Sequence, residues 1–207
     1  RTLKEARALL AQVRLVNLSF SPNLPPSPLH YLLADKTGCL VVEPVKEGLM
    51  VYENPVGVLT NNPPFPMQLV NLANYSSLSR KDPIPRFADG FSPTLYSRGM
   101  GGIGLPGDVS SMSRFVRAAF VRMNSVSGDS ENESVHQFFH LLGAVEQVRG
   151  ECELADGKFE ITIYSSCCNA DKGIYYYTTY EDRSIHACDM HTADLDSTAL
   201  CLLAELK

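Results

Sequence analysis

Apolar residues recur at helical spacing from the start of the chain. Leu3, Ala6, Leu9, Leu10 and Val13 follow Thr2 and Glu5, which are spaced as a capping box, so a first helix is predicted. Ser19 to Leu29 carries Pro22, Pro25, Pro26 and Pro28 and reads as an extended loop. Short β-forming runs follow at His30–Ala34, Leu40–Glu43, Leu49–Glu53 and Val56–Thr60, with Gly38 and Gly48 at turns. They predict a four-stranded antiparallel meander. Pro66 to Tyr75 predicts a short helix with proline in its first turn. Ser110 to Asn124 predicts a longer one, with Met112, Phe115, Val116, Ala119 and Met123 on its apolar face and Arg114, Arg117 and Arg122 off it. Ser130 and Glu133 form a second capping box. It opens a helix predicted to reach Val148 through Val135, Phe138, Phe139, Leu142 and Val145, with Gly150 just past its end. Strands are predicted at Phe159–Cys167, Gly173–Tyr180 and Ser184–Asp189, with a hairpin turn at Glu181-Asp182-Arg183. Thr198 to Leu206 fits strand or helix. Strands, then helices, then strands without strict βαβ alternation predict an α+β fold built on antiparallel sheets.

Composition narrows the function. The chain has 207 residues, which suits a single domain spanning 1–207. Eighteen Lys and Arg against 23 Asp and Glu give a net charge of −5, so a basic nucleic-acid footprint is absent. No apolar run approaches the roughly 20 residues of a membrane-spanning helix. Six cysteines without CxxC spacing argue against a disulfide scaffold or a zinc ribbon, and no cofactor is implied. All thirteen prolines fall between Pro22 and Pro106, so loops concentrate in the first half. The chain opens at a helix cap, without an initiator Met or a leader, and is expected to be a piece of something longer.

Four features carry candidate chemistry. Gly99-Met100-Gly101-Gly102-Ile103-Gly104 fits GxGxxG, but Ser97-Arg98 precede it and Pro106-Gly107 follow, so a shaped glycine loop is the better reading. His136 and His140 have zinc-protease spacing, yet Gln137 stands where the general base would be, and both lie off the apolar stripe. Asn61, before Asn62-Pro63-Pro64, is either ordinary turn chemistry or an amide held at a strand end to donate to an oxyanion. Arg149-Gly150 is either a helix-end cation with its C-cap or a fixed guanidinium for a thiolate or carboxylate. Cys167 and Cys168 are vicinal on a strand, point oppositely, and read as packing residues.

Taken together, several stretches resemble one family. They are Pro28-Leu29-His30-Tyr31-Leu32-Leu33-Ala34-Asp35, Asn54 through Pro63, Gly104-Leu105-Pro106-Gly107-Asp108 running on to Ser113-Arg114-Phe115, Val148-Arg149-Gly150, and Lys172 through Tyr180. Their order and spacing over nearly the whole chain resemble the choloylglycine hydrolases, that is, bile salt hydrolases and penicillin V acylases. The resemblance implies an N-terminal-nucleophile amidase with an αββα sandwich, two antiparallel sheets between helical layers, incomplete in this chain. It implies a nucleophilic N-terminal Cys whose own α-amine is the base, an acyl-enzyme, and hydrolysis by water. By resemblance Asn61 helps form the oxyanion hole, Arg149 orients the nucleophile, and Phe20, Leu24 and Leu29 line the pocket for the apolar acyl group. The implied partners are a conjugated bile acid or related acyl amide, the missing N-terminal segment of the same protein, and further copies in a homotetramer. A cytoplasmic location follows by the same resemblance.

The six cysteines, Cys39, Cys152, Cys167, Cys168, Cys188 and Cys201, are all internal, and the Thr2 hydroxyl suits a helix cap. The sequence therefore reads as the C-terminal two-thirds of such an enzyme, inactive by itself. Cleavage of glycine- or taurine-conjugated bile salts is the expected activity of the whole. Penicillin V hydrolysis, or a non-catalytic module that binds an apolar ligand, are the alternatives.

Overall fold

The structure, a computed structural model, describes residues 2–27, 29–194 and 196–199. The segment that fits strand or helix falls outside the described residues from residue 200 on. The chain forms two compact units, Arg1–Asn124 and Ser125–Lys207.

In the first unit, α1 (Leu3–Leu10) starts at the predicted capping box: the Thr2 hydroxyl accepts from the Glu5 amide and the Glu5 carboxylate accepts from the Thr2 amide. The Leu3 N–H donates to Asp35 at 2.8 Å, which ties the helix start to the sheet. Strands β1 (Tyr31–Asp35), β2 (Gly38–Val45) and β3 (Gly48–Glu53) form an antiparallel sheet in that order, with Leu33 opposite Leu40 and Val41 opposite Tyr52. Helix α2 (Phe65–Leu72) runs into a 3₁₀ turn at Ala73–Tyr75, and α3 (Ser111–Asn124) packs against it. The core lies where the sheet meets these helices: Val41, Val56, Val58, Phe65, Phe115 and Ala119 are buried together. Phe65 is fully buried, with its ring 6.2 Å from Tyr52 and 6.1 Å from Phe115.

The expected fourth strand, Val56–Thr60, does not form. The buried Asn54 side chain captures its backbone: Oδ1 accepts from the Val56 and Gly57 amides, and Nδ2 donates to the Val58 carbonyl at 2.9 Å. Gly57 takes a φ of +60°, which makes that tight course accessible. Those backbone groups would otherwise be available to a fourth strand.

In the second unit, α4 (Glu131–Gly143) starts at the Ser130/Glu133 capping box, as predicted. It ends well short of Val148. Beyond a tight final turn, the Gln147 amide donates to the Thr162 hydroxyl and the Thr162 amide to the Gln147 carbonyl. Strands β4 (Tyr164–Asn169), β5 (Ile174–Thr179) and β6 (His186–Asp189) make a second antiparallel sheet, in that order. Its first strand begins at Tyr164 rather than Phe159, because residues 159–163 pair back irregularly on Cys152 and Gln147. Glu131, in the first turn of α4, accepts from Asn169, Lys172 and Tyr176 and so fastens the helix to β4 and β5. The α+β expectation on antiparallel sheets is met. No helix among the described residues is long and apolar enough to cross a membrane.

Candidate active site

Asn61 sits in the turn between the Asn54-capped segment and α2, and its seat is built from the core outward. Gln68, on α2 and 1% exposed, spreads its amide nitrogen over the Asn61 carbonyl (3.3 Å), the Pro63 carbonyl (3.4 Å), and the Thr60 and Ser111 hydroxyls. Thr60 donates to the Ser111 carbonyl at 3.1 Å and accepts from the Ser111 hydroxyl at 3.0 Å, which joins the turn to the first residue of α3. The Asn62–Pro63 peptide is cis.

The Asn61 side chain reaches the surface and meets Arg114 of α3, whose Nη2 donates to Asn61 Oδ1 at 2.6 Å. Arg114 is itself steadied by a bond from Nε to the Val109 carbonyl at 2.9 Å. A guanidinium only donates, so the amide oxygen must face it, and the Asn61 N–H₂ is the group left to donate elsewhere. An exposed amide whose oxygen is fixed by a cation has its donor pre-aimed, the arrangement an oxyanion requires.

The loop before α3 holds this guanidinium in place. Asp108 accepts from the Ser110 amide at 3.0 Å and from the Ser113 hydroxyl at 2.6 Å, while Arg117 donates to the carbonyls of Pro106 and Asp108. The hydroxyls of Ser110 and then Ser113, with the Ser110 amide, bring the Asp108 carboxyl from its ordinary 3.8 down to about 2. A carboxyl lowered on folding stabilises the fold above its unfolded value and loses that contribution as pH falls toward the folded one. Asp108→Asn is therefore expected to lower the melting temperature at neutral pH and to flatten its fall between about pH 4 and pH 2. Parallel melting curves against pH for the two proteins would contradict this.

The glycine pattern at Gly99–Gly104 is a structural loop, as expected. A single 3₁₀ turn, Met100–Gly102, follows no strand. A Cβ on Gly101 would lie 2.0 Å from the Lys81 carbonyl oxygen and 2.4 Å from that of Ser79, so only glycine fits there. His136 is exposed, with Nδ1 2.7 Å from the Asn132 carbonyl, and no group of three or more His, Cys, Asp or Glu gathers for a metal among the described residues. Cys168 is exposed while Cys167 is half-buried, as strand alternation requires.

A cavity of about 210 Å³ adjoins Asn61 and is lined by Leu29, His30, Glu43, Asn61, Asn62 and Pro64, among others. It unites two of the sequence-selected residues, Leu29 and Asn61. Phe20 and Leu24 do not line it. They stand on a turn closed by Phe20 N–H to the Leu24 carbonyl and Leu24 N–H to the Ser21 carbonyl, with 91% and 57% of their surface exposed.

Arg149 belongs to the second unit. It is not a helix-end cation, because α4 has ended at Gly143. Its amide donates to the Tyr180 hydroxyl at 3.0 Å, its guanidinium lies 5.2 Å from the Tyr180 ring centre, and Glu181 is 3.4 Å away. Within this unit its side chain is thus held by Tyr180 and Glu181. The guanidinium held against Asn61 is that of Arg114, which the sequence showed as a cation off the apolar face of its helix and as part of a family-like stretch, without a role of its own. Fifty-three positions separate the two residues, and no local periodicity links them.

Comparison with known proteins matches residues 1–203 to the family described as linear amide C–N hydrolases, choloylglycine hydrolase family. A bile salt hydrolase/transferase of Lactiplantibacillus plantarum is 55% identical over 199 residues, which is 96% of this chain and 61% of that protein. One from Clostridium perfringens is 39% identical over 201 residues, 96% of this chain and 61% of its own length. The crystal structure of an arginine variant of conjugated bile acid hydrolase from C. perfringens superposes with a TM-score of 0.85 at 38% identity, covering 100% of this chain and 62% of that one. A penicillin V acylase from Agrobacterium tumefaciens, 20% identical with a TM-score of 0.67 over 96% of this chain and 54% of its own, shares the fold. The chain thus spans about three-fifths of the length of these bile salt hydrolases.

Proposed function

The chain belongs to the choloylglycine hydrolase family of linear amide C–N hydrolases, and on that premise we propose that it forms the larger, C-terminal part of an amidase for glycine- or taurine-conjugated bile salts. The observation that carries the reading is the Asn61 amide, whose oxygen is bound by Arg114 so that its N–H₂ is offered beside a cavity walled by Leu29. In this reading the substrate carbonyl lies against the Asn61 N–H₂. A cysteine thiolate from a preceding segment attacks the carbonyl carbon. The oxyanion is held by the amide, the C–N bond breaks, and the proton that the cysteine's own α-amine took from the thiol passes to the nitrogen of the departing glycine or taurine. Water then attacks the thioester and frees the acid and the thiol. Arg114 is assigned the guanidinium that fixes the Asn61 amide.

Two observations favour a further segment of the same polypeptide. The relatives are longer by about two-fifths of their length. Large apolar side chains stand open on both units: Val70, Ile84, Phe87 and Tyr96 in the first, Val126 and Ile163 in the second, each 70% exposed or more. The second unit also carries an apolar groove of about 570 Å³ walled by Ile161, Ile163, Tyr164, Tyr175, Tyr177 and Tyr180, among others.

Phe20, Leu24 and Leu29 are assigned to the acyl group, because apolar side chains on a loop with so little shared core need a partner. The test is hydrolysis by the native polypeptide. Free glycine or taurine should appear from conjugated bile salts. Faster release of acid from penicillin V would favour the acylase reading, and binding without cleavage would favour the binding module. Within the amidase reading, Leu24→Ala should raise KM for steroid amides about ten-fold, the scale of a few lost apolar contacts, and leave small acyl amides nearly unaffected. Equal losses on both, with a lower melting temperature, would make Leu24 a packing residue.

A further inference from the structure

Strand β2 buries four consecutive residues, Leu40, Val41, Val42 and Glu43. Three are apolar; the fourth is a carboxylate only 4% exposed. An apolar side chain of similar size would cost less to bury there, so stability alone does not account for Glu43. Its oxygens are divided between two elements of the site. Oε1 lies 3.1 Å from His30 Nδ1, and Oε2 accepts from the Phe65 N–H at 2.9 Å. His30 directly follows Leu29, the wall of the acyl cavity. Phe65 directly follows the Asn61-Asn62-Pro63-Pro64 turn and starts α2, whose N-cap position is Pro64 and has no capping side chain. One buried carboxylate therefore spans the base of the pocket loop and the turn that carries Asn61. His30 and Glu43 line the same cavity as Leu29 and Asn61.

We propose that Glu43 and His30 form a positioning pair that holds Leu29 at a fixed distance from Asn61, so that a bulky acyl group and its amide carbonyl are seated together. The proposal rests on the amidase reading. Neither residue touches the reacting atoms. A carboxylate only accepts, so it requires a proton on Nδ1 and thereby fixes the ring's orientation. The pair's effect is to hold in register two segments that the chain itself joins only through β1, β2, β3 and the Asn54-capped loop. Small displacements of a binding wall relative to a reacting centre are costly for substrates that fill both and nearly silent for those that reach only the centre.

The experiment measures kcat and KM of the native polypeptide on a glycine-conjugated steroid amide and on a short-chain acyl glycine, well below the melting temperature. His30→Ala should raise KM for the steroid amide about ten-fold while that of the short acyl amide moves less than about two-fold. His30→Asn, whose side-chain amide can still donate to Glu43, should recover most of the loss. A merely structural role lowers kcat on both substrates by the folded fraction and leaves the ratio of the two KM values as in wild type, and that result overturns the proposal. Should His30→Ala fail to fold, His30→Phe keeps the ring's bulk and removes Nδ1, and it is read by the same ratio, an unchanged value again overturning the pair. A wild-type polypeptide that cleaves neither amide would instead remove the amidase reading itself.

Discussion

Asn61→Ala lowers kcat of the native amidase by about 10²–10³-fold and leaves the melting temperature nearly unchanged, if Asn61 N–H₂ is an oxyanion donor. Stability is largely spared because the turn is held from the core through the Asn61 carbonyl, by the buried Gln68, whereas the side-chain contact with Arg114 lies at the surface. A second substitution separates donation from the contact with Arg114. Asn61→Asp keeps an acceptor for the guanidinium, now with a charge, but has no N–H to offer. It should lose as much kcat as the alanine variant while melting no lower than wild type. A catalytically competent Asn61→Asp would end the oxyanion assignment and leave Asn61 as an anchor for Arg114.

Phe65→Ala should destabilise the first unit by about 3–5 kcal/mol, the usual cost of emptying a fully buried ring site. The ring lies between Tyr52 of β3 and Phe115 of α3, so its removal opens the junction of sheet and helices. The denaturant midpoint should drop at constant slope, and the melting temperature should fall by roughly 10 °C. Phe65 is also the residue whose amide binds Glu43 and whose helix carries Gln68, so kcat should fall with stability. A stable Phe65→Ala protein with full activity would mean that the seat of Asn61 does not depend on this core.

What the sequence disclosed follows from the range of the interactions involved. Both capping boxes, Thr2/Glu5 and Ser130/Glu133, are local, and both were legible. The antiparallel hairpins were legible through β-branched runs broken by glycine. The strand expected at Val56–Thr60 was not refuted by its own residues. It fails because Asn54, just outside the run, offers its backbone better hydrogen bonds than a ladder would. The end of α4 was misjudged for a similar reason: Thr162, fifteen residues away from Gln147, takes over the backbone where the apolar stripe still continues. At the site, Asn61 and Leu29 could be named from motifs. Arg114, Gln68, Glu43 and His30 could not, because their roles depend on contacts between segments that meet only in the folded chain. The family resemblance implied Arg149 for the guanidinium role, and only the tertiary contact with Asn61 brought Arg114 forward.

The stretch from Phe20 to Leu29 is anchored unevenly. Around Phe20 and Leu24 its backbone is closed upon itself, and at its other end Leu29 adjoins the half-buried His30–Glu43 contact. Selection therefore meets a gradient of constraint along ten residues. Under the proposed acyl assignment, changes near Phe20 and Leu24 would alter which acyl groups are accepted without taxing the fold, whereas changes at Leu29 and His30 would reach Asn61 as well. In the proposed amidase, lineages carrying this architecture would diversify in diet at the tip of the loop while the turn that carries Asn61 stays fixed, and a laboratory library confined to residues 20–27 would explore substrate range at little risk to folding.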